Sequence, residues 1–173
     1  MFHGGCIVMI LVSPNIKYIK SFRKYVNQYK EKNDKFYLGI YEEAFDSFSK
    51  YVTLLEDNAE GRNLPYGWSS YRTFWLEDKG EILAVIRIRN KDVEYYGHIG
   101  YDVAPLYRKK GYGTKILELG LEKAKKMGLK KVILTCLDKN WASQKIIEKN
   151  GGEMIKTIEN DDGKIYYAYE IRL

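Results

Sequence analysis

Behind Pro14, apolar side chains recur every three or four residues: Ile16, Ile19, Phe22, Tyr25, Val26 and Tyr29 fall on one stripe, and lysines fill the opposite face. That spacing matches the helical turn and predicts an amphipathic helix over roughly residues 15–34. A short apolar strand is expected before it at 9–12, and a second helical stretch after it over 41–58. "GRNLPYGWSS" then breaks the pattern with Gly, Pro and Asn, which predicts an aromatic loop. From there the period drops to two. "YRTFWLEDKGEILAVIRIRN" reads as two strands joined at Asp78-Lys79-Gly80, a hairpin signal, and a further strand is expected from Tyr96 to Ala104.

The helical period returns at Tyr112. Over 112–127 it buries Ile116, Leu117, Gly120, Leu121 and Ala124, and it stops at Gly128. "KKVILTCL" follows as a near-continuous apolar run, the mark of a strand covered on both faces, so strand, helix and strand predict a right-handed crossover between parallel strands. A shorter helix over 140–149 ends at Asn150-Gly151-Gly152, and two last strands flank the turn at 160–164. The predicted fold class is α/β (α+β), with a mixed, mostly antiparallel sheet, one central parallel pair and helices on both faces. A single domain is expected over 9–173. Met9 offers a second translation start, so residues 1–8 are set apart as an N-terminal extension.

Composition narrows the function without choosing it. The chain has 173 residues, 45% of them hydrophobic, enough for one real core. With 29 Lys and Arg against 23 Asp and Glu, a net charge of +6 favours an anionic ligand. The basic residues are scattered and no nucleic-acid motif appears, so no nucleic-acid partner is expected. Cys6 and Cys136 show no metal-ligand spacing and no disulfide framework; no metal is expected, and a reducing cytoplasm suits them. The apolar run at 6–12 is far shorter than the ~20 residues a membrane helix needs, and it lacks signal-peptide flanks, so no membrane partner is expected.

The chemistry concentrates at "RKKGYGTKIL", residues 108–117. Helix N-termini present unpaired amides and partial positive charge, so an anion docks there without a special side chain. Gly111 and Gly113 are expected to supply positive φ and close approach, with Arg108, Lys109 and Lys110 adding charge and Tyr112 and Thr114 opening the helix: a cradle for a diphosphate. The dinucleotide fingerprint fails, since Ile116 takes its third glycine position, and the nucleotide-hydrolase loop is absent.

What remains, R-x-x-G-x-G between a strand and a helix, resembles the acyl-CoA signature of the GCN5-related N-acetyltransferase (GNAT) family. The resemblance extends over about residues 9–173 in element order, and rests most firmly on "IGYDVAPLYRKKGYG" and the downstream "NWASQKIIEKNGG". It implies acetyl-CoA as co-substrate, a primary amine of a small molecule, peptide or protein as acceptor, and a parallel strand pair splayed to admit the pantetheine. Backbone groups of Tyr101, Asp102 and Val103 would then hydrogen-bond the pantetheine, and an amide near Val103 would stabilise an oxyanion.

Direct transfer needs an acid for the departing thiolate and a base or water for the amine proton. Many family members carry a tyrosine seven residues after the helix-opening asparagine; here that position is Ile147. Ser143 resembles the serine that a subgroup active on protein N-termini places near the CoA sulfur, and is the candidate acid, or else simply bonds backbone in the first turn. Asn140 is read as a pantetheine contact, a helix cap, or both. His98 is the leading base, with Glu94 and Asp102 as alternatives, or else a ring satisfied inside the sheet. Cys136 is read as a buried small residue. Acceptor walls are expected from "NLPYGWSSYRTFW" and "IYYAYEI", including Tyr66, Trp68, Tyr71, Phe74, Trp75, Tyr166, Tyr167 and Tyr169, with many of these as core. Ile147 also motivates an alternative function, a CoA-binding sensor without turnover. The sequence leaves the oligomeric state open, a homodimer included.

Overall fold

The structure is a computed structural model and describes residues 9–93 and 95–173; the extension at 1–8 and the candidate base Glu94 lie outside the described residues. Four strands, β1 (Ile10–Val12), β2 (Tyr71–Asp78), β3 (Glu81–Arg89) and β4 (Ile99–Val103), form an antiparallel sheet in chain order. The β2–β3 turn falls at Lys79 and Gly80, both at positive φ (50° and 83°), as the Asp-Lys-Gly signal requires. A second sheet holds β5 (Lys131–Leu137), β6 (Glu153–Glu159) and β7 (Ile165–Arg172) in the order β5-β7-β6, also antiparallel.

Among the described residues, six α-helices cover these sheets. α1 (Ile19–Glu31), α2 (Lys35–Ile40), α3 (Glu42–Asp46) and α4 (Phe48–Ala59) precede β2, while α5 (Tyr112–Lys126) and α6 (Trp141–Lys149) flank β5. The single helix expected over 41–58 is broken at Ser47, whose extended backbone (φ −149°, ψ 100°) separates α3 from α4. Serine and the preceding aspartate favour such breaks because their side chains compete for backbone groups. The strand expected from Tyr96 starts only at Ile99, since Tyr96 and Gly97 both donate to the Val93 carbonyl in a turn.

Alternation along β3 divides the core in two. Ile86 and Ile88 face α5 and α6, packing with Ile116, Leu117, Leu134 and Ile147. Val85 faces α1–α4, packing with Phe22, Tyr25, Tyr29, Tyr41 and Trp75. Gly120 lets α5 lie close on the sheet, because a Cβ there would collide with Ile86. The expectation that β5 is covered on both faces is corrected: Val132, Leu134 and Cys136 are buried, whereas Ile133 and Thr135 are half-buried and Leu137 is exposed. Apolar runs do not by themselves tell one covered face from two.

β4 and β5 belong to different sheets and share no ladder among the described residues. They meet beside His98, whose N–H donates to the Ile133 carbonyl at 2.7 Å. A Cβ at Gly97 would overlap that same carbonyl, so only glycine permits the approach. Beyond this point Tyr101 is linked across the gap through its phenol, to Ser143 on α6.

Candidate active site

Where β4 ends, a turn of helix at Pro105–Tyr107 leads into the basic segment. Lys109 (φ 61°) and Gly111 (φ 87°, ψ −8°) both adopt the left-handed conformation, and α5 begins at Tyr112. The Gly111 carbonyl accepts the Lys115 N–H at 3.0 Å, which closes the first turn. Among the described residues, the amides of Tyr112, Gly113 and Thr114 donate to nothing within the chain. A Cβ at Gly111 would meet nothing within 4 Å, so the ground above this turn is open. Free amides, the helix's positive end and open approach are what an oxyanion needs.

The two glycines do different work. Gly113 was expected at positive φ, but it is an ordinary helical residue, buried, and its missing side chain makes room for Ile146 and Val103. The second left-handed residue is Lys109 instead. Arg108 turns toward the strand: its Nε donates to the Val103 carbonyl at 2.9 Å and its guanidinium lies 5.9 Å from the Tyr29 ring centre. Lys109 and Lys110 are exposed, with the Lys110 ammonium 6.0 Å from the Tyr107 ring. Thr114 accepts from Asn150 Nδ2 at 3.3 Å, which ties the start of α5 to the end of α6.

Between the sheets lies a small set of hydroxyls. Asn140 caps α6, its Oδ1 accepting the Ser143 N–H at 3.1 Å, and this fixes the serine in the first turn. Ser143 Oγ sits 3.0 Å from the Tyr101 phenol. Burial pushes the Tyr101 phenol well up from its usual range, so it stays protonated, while the bond to Ser143 acts the other way. Cys136 is 6% exposed and desolvation pushes its thiol up to about 11, against a hydrogen bond from Ser143; it is a thiol at neutral pH and not a nucleophile. Ile147, at the expected tyrosine position, is core.

His98 and Asp102 have other duties. His98 Nδ1 accepts the Ile133 N–H at 3.0 Å, which leaves the hydrogen of the neutral ring on Nε2 and no lone pair for a base. Desolvation lowers its pKa. The ring therefore clasps the two sheets together, and its assignment as base is corrected. Asp102 is 4% exposed and accepts from the phenols of Tyr25, Tyr29 (2.7 Å) and Tyr41 (2.8 Å) and from Arg87 Nη1 at 2.9 Å. Burial, together with this anion, raises the Tyr25 phenol far above its usual value, and burial does the same at Tyr41. So saturated a carboxylate serves to hold β4 against α1–α3, not to take a proton. Sequence inspection missed this network. The signal was available in "AVIRIR", where Arg87 and Arg89 alternate with isoleucines on a strand buried on both sides.

Of the aromatic segments, Trp75 and Tyr169 are core and Phe74 packs on the α5 side. Tyr166 joins Tyr95, Tyr96, Asn160, Asp161 and Asp162 around a cavity of about 260 Å³. Trp68, Tyr71 and Tyr96 gather around Arg89, Trp68 lying 5.2 Å from Tyr96 and 6.0 Å from Tyr71.

The family description "Acetyltransferase (GNAT) family" matches residues 29–152, a span that includes the Tyr-Asp-Val strand, the basic turn and Ser143. The chain belongs to that family. It is an acetyl-CoA-dependent N-acetyltransferase whose acceptor is an amine. The fold agrees with solved structures at low identity. A microcin C7 self-immunity acetyltransferase, MccE, in complex with acetyl-CoA and AMP, matches at 17% identity and a TM-score of 0.71 over 95% of this chain and 92% of that one. RimL, a ribosomal L7/L12 α-N-protein acetyltransferase in complex with coenzyme A, matches at 14% and 0.72 over 95% and 94%. An acetyl transferase from Salmonella typhimurium that modifies the N-terminal serine of the 50S ribosomal protein L7/L12 matches at 12% and 0.66 over 95% of each chain. No curated protein matches in sequence. No helix among the described residues is long and apolar enough to cross a membrane, and no group of side chains among them is fit to hold a metal.

Proposed function

We propose that the start of α5 holds the diphosphate of acetyl-CoA and that Ser143, backed by Tyr101, serves as the acid of the transfer. The observation that carries this is the set of amides at Tyr112, Gly113 and Thr114, unbonded within the chain and opening on free space behind the left-handed Gly111. Lys109 and Lys110 add charge around the same turn, and Arg108 braces it by bonding the Val103 carbonyl. Acetyl-CoA, when bound, supplies an activated thioester carbonyl. Outward backbone groups of Tyr101 and the Val103 amide would be open to the pantetheine, because β4 has no ladder partner on the β5 side among the described residues, whereas the Asp102 and Val103 carbonyls already accept from Tyr25 and Arg108. A backbone amide near Val103 then faces the developing oxyanion.

Ser143 gives its hydroxyl proton to the leaving sulfur and recovers one through the Tyr101 phenol, 3.0 Å away, which takes a proton back from solvent water once the site opens for product release. Asn140 holds Ser143 in place through its backbone amide and leaves its own Nδ2 free to donate. The amine's proton passes to water, since His98 and Asp102 are both committed elsewhere. Among acceptors, a small molecule or a peptide amine is favoured over nucleic acid: Asp161 and Asp162 wall the neighbouring cavity, repelling phosphates and attracting ammonium groups. A cytoplasmic setting fits the free thiol of Cys136 and the co-substrate. CoA release measured against a panel of amines tests the function. Release above background with at least one amine is expected; tight acetyl-CoA binding with no release from any would favour a sensor.

A further inference from the structure

Arg89 closes β3 on the face turned away from α5 and α6, two residues beyond Arg87. The two arginines are treated very differently. Arg87 has the Asp102 carboxylate at 2.9 Å and the Tyr41 hydroxyl at 3.0 Å. Arg89 is 4% exposed, yet among the described residues it meets no carboxylate within bonding distance; its Nε has no partner and its Nη1 reaches the Gly97 carbonyl only at 3.5 Å. Instead, aromatic rings enclose it: the guanidinium carbon lies 4.7 Å from the Trp68 ring centre and 5.8 Å from that of Tyr96. Cation–π contact returns only part of what burying a cation costs. Desolvation and the nearby Arg87 accordingly lower its pKa to about 10.

Other unpartnered buried atoms lie on the neighbouring elements, Ser69 Oγ beside Trp68, Thr73 Oγ1 on β2, and Asn58 Oδ1 on α4, whose Nδ2 bonds the Tyr71 hydroxyl at 2.7 Å, with Trp75 Nε1 a further one in the aromatic core. Native proteins rarely leave such groups idle away from a site. The position also suits an acceptor. A Cβ built on Gly100 would stand 3.9 Å from Arg89 Nη1, so the guanidinium flanks the residue next to Tyr101 from the side opposite Ser143. Tyr96 is a wall shared with the acidic cavity. Trp68 sits on a loop with left-handed residues at Asn63 (φ 52°) and Gly67 (φ 78°).

We propose that Arg89 binds a carboxylate of the acceptor: the chain acetylates a primary amine that carries a carboxylate a few bonds away, and Trp68 and Tyr96 close over that group. The inference rests on the transferase function above and adds the acceptor's chemistry to it. Either a free amino acid or a peptide with an acidic second residue presents that carboxylate. The bidentate guanidinium fork matches its geometry, and the low-dielectric surroundings strengthen the pairing.

The test compares kcat/KM, by CoA release, within two matched pairs: serine against serinamide, and the tripeptide amides Ser-Asp-Ala against Ser-Asn-Ala. In at least one pair the carboxylate member is expected to lead by roughly 10-fold or more, and the pair that shows it names the source. Arg89→Gln should bring that ratio to about 1, with Arg89→Lys between. Because Gln removes an uncompensated buried charge, its melting temperature should not fall, whereas a purely structural Arg89 would lower it. Equal rates within both wild-type pairs, or a preference that survives Arg89→Gln, overturns the proposal. If none of the four is acetylated, titrating the wild type with succinate decides: a saturable change in tryptophan fluorescence that is lost in Trp68→Phe supports it, and a flat response overturns it. Calorimetric titration with acetyl-CoA runs alongside. Binding with turnover but no carboxylate preference sinks only this assignment; absence of acetyl-CoA binding sinks the transferase function itself.

Discussion

The last residues of β4 and the turn that follows them obey opposite rules. At Asp102 every acceptor position is filled by three phenols and a guanidinium, and the surrounding rings exclude water. A few residues later, the turn into α5 leaves three successive amides without any partner and places glycine where a side chain would have stood. The first region spends its polar groups on holding β4 to α1–α3. The second keeps them in reserve for a ligand. The saturated end gives the strand a fixed position from which the unsaturated end can present its amides, so rigidity on one side is a condition of binding on the other.

Breaking the saturated end should have the largest effect. Asp102→Ala leaves Arg87 charged and buried among three phenols, and is expected to cost about 3–5 kcal/mol of stability, read as a lowered urea midpoint. Breaking the open end should leave the fold standing and weaken the ligand. Gly111→Val forces a β-branched residue to φ 87° over the open turn, and should reduce acetyl-CoA affinity roughly 10-fold or more by calorimetry. An equal affinity would show that the turn does not hold the diphosphate. Ser143→Ala sharpens the comparison, because it leaves both ends intact: kcat should fall roughly 10-fold or more, with little change in acetyl-CoA binding. Tyr101→Phe should lower kcat less than Ser143→Ala does, read by CoA release, and an unchanged kcat would remove the phenol from the proton path.

The smallest effect concerns the clasp. Folding lowers the His98 pKa below that of the unfolded chain, so the unfolded state binds more protons as pH drops. Stability should be fully present above the usual imidazole value and decline as pH falls through the lower folded value. His98→Asn should flatten that decline in melting temperature between about pH 7 and 5. An unaltered slope would place the acid sensitivity elsewhere.

Much of this was legible in the chain. The amphipathic period behind Pro14, the Asp-Lys-Gly hairpin, the glycine-stopped helix over 112–126 and the basic turn all follow from local rules, because each depends on neighbours within a few residues. The break at Ser47 did not follow because an Asp-Ser pair is also compatible with a continuing helix, and the half-covered β5 did not follow, since it depends on what packs from far along the chain. The same holds within the site. Gly111 was placed by its motif, but Gly113 lost its presumed freedom to a contact with Ile146, which is 33 positions away in sequence. Asp102 looked like a free acid on the cofactor strand until Tyr25 and Tyr29 arrived from α1 and Tyr41 from the junction of α2 and α3. Pairing a carboxylate with phenols is a tertiary event, and no local period announces it.

The most direct measurement is a crystal structure of the wild type with coenzyme A. It should show diphosphate oxygens within hydrogen-bond distance of the Tyr112, Gly113 and Thr114 amides, the pantetheine between β4 and β5, and the sulfur beside Ser143. Coenzyme A bound elsewhere, with those amides facing solvent, would contradict the account.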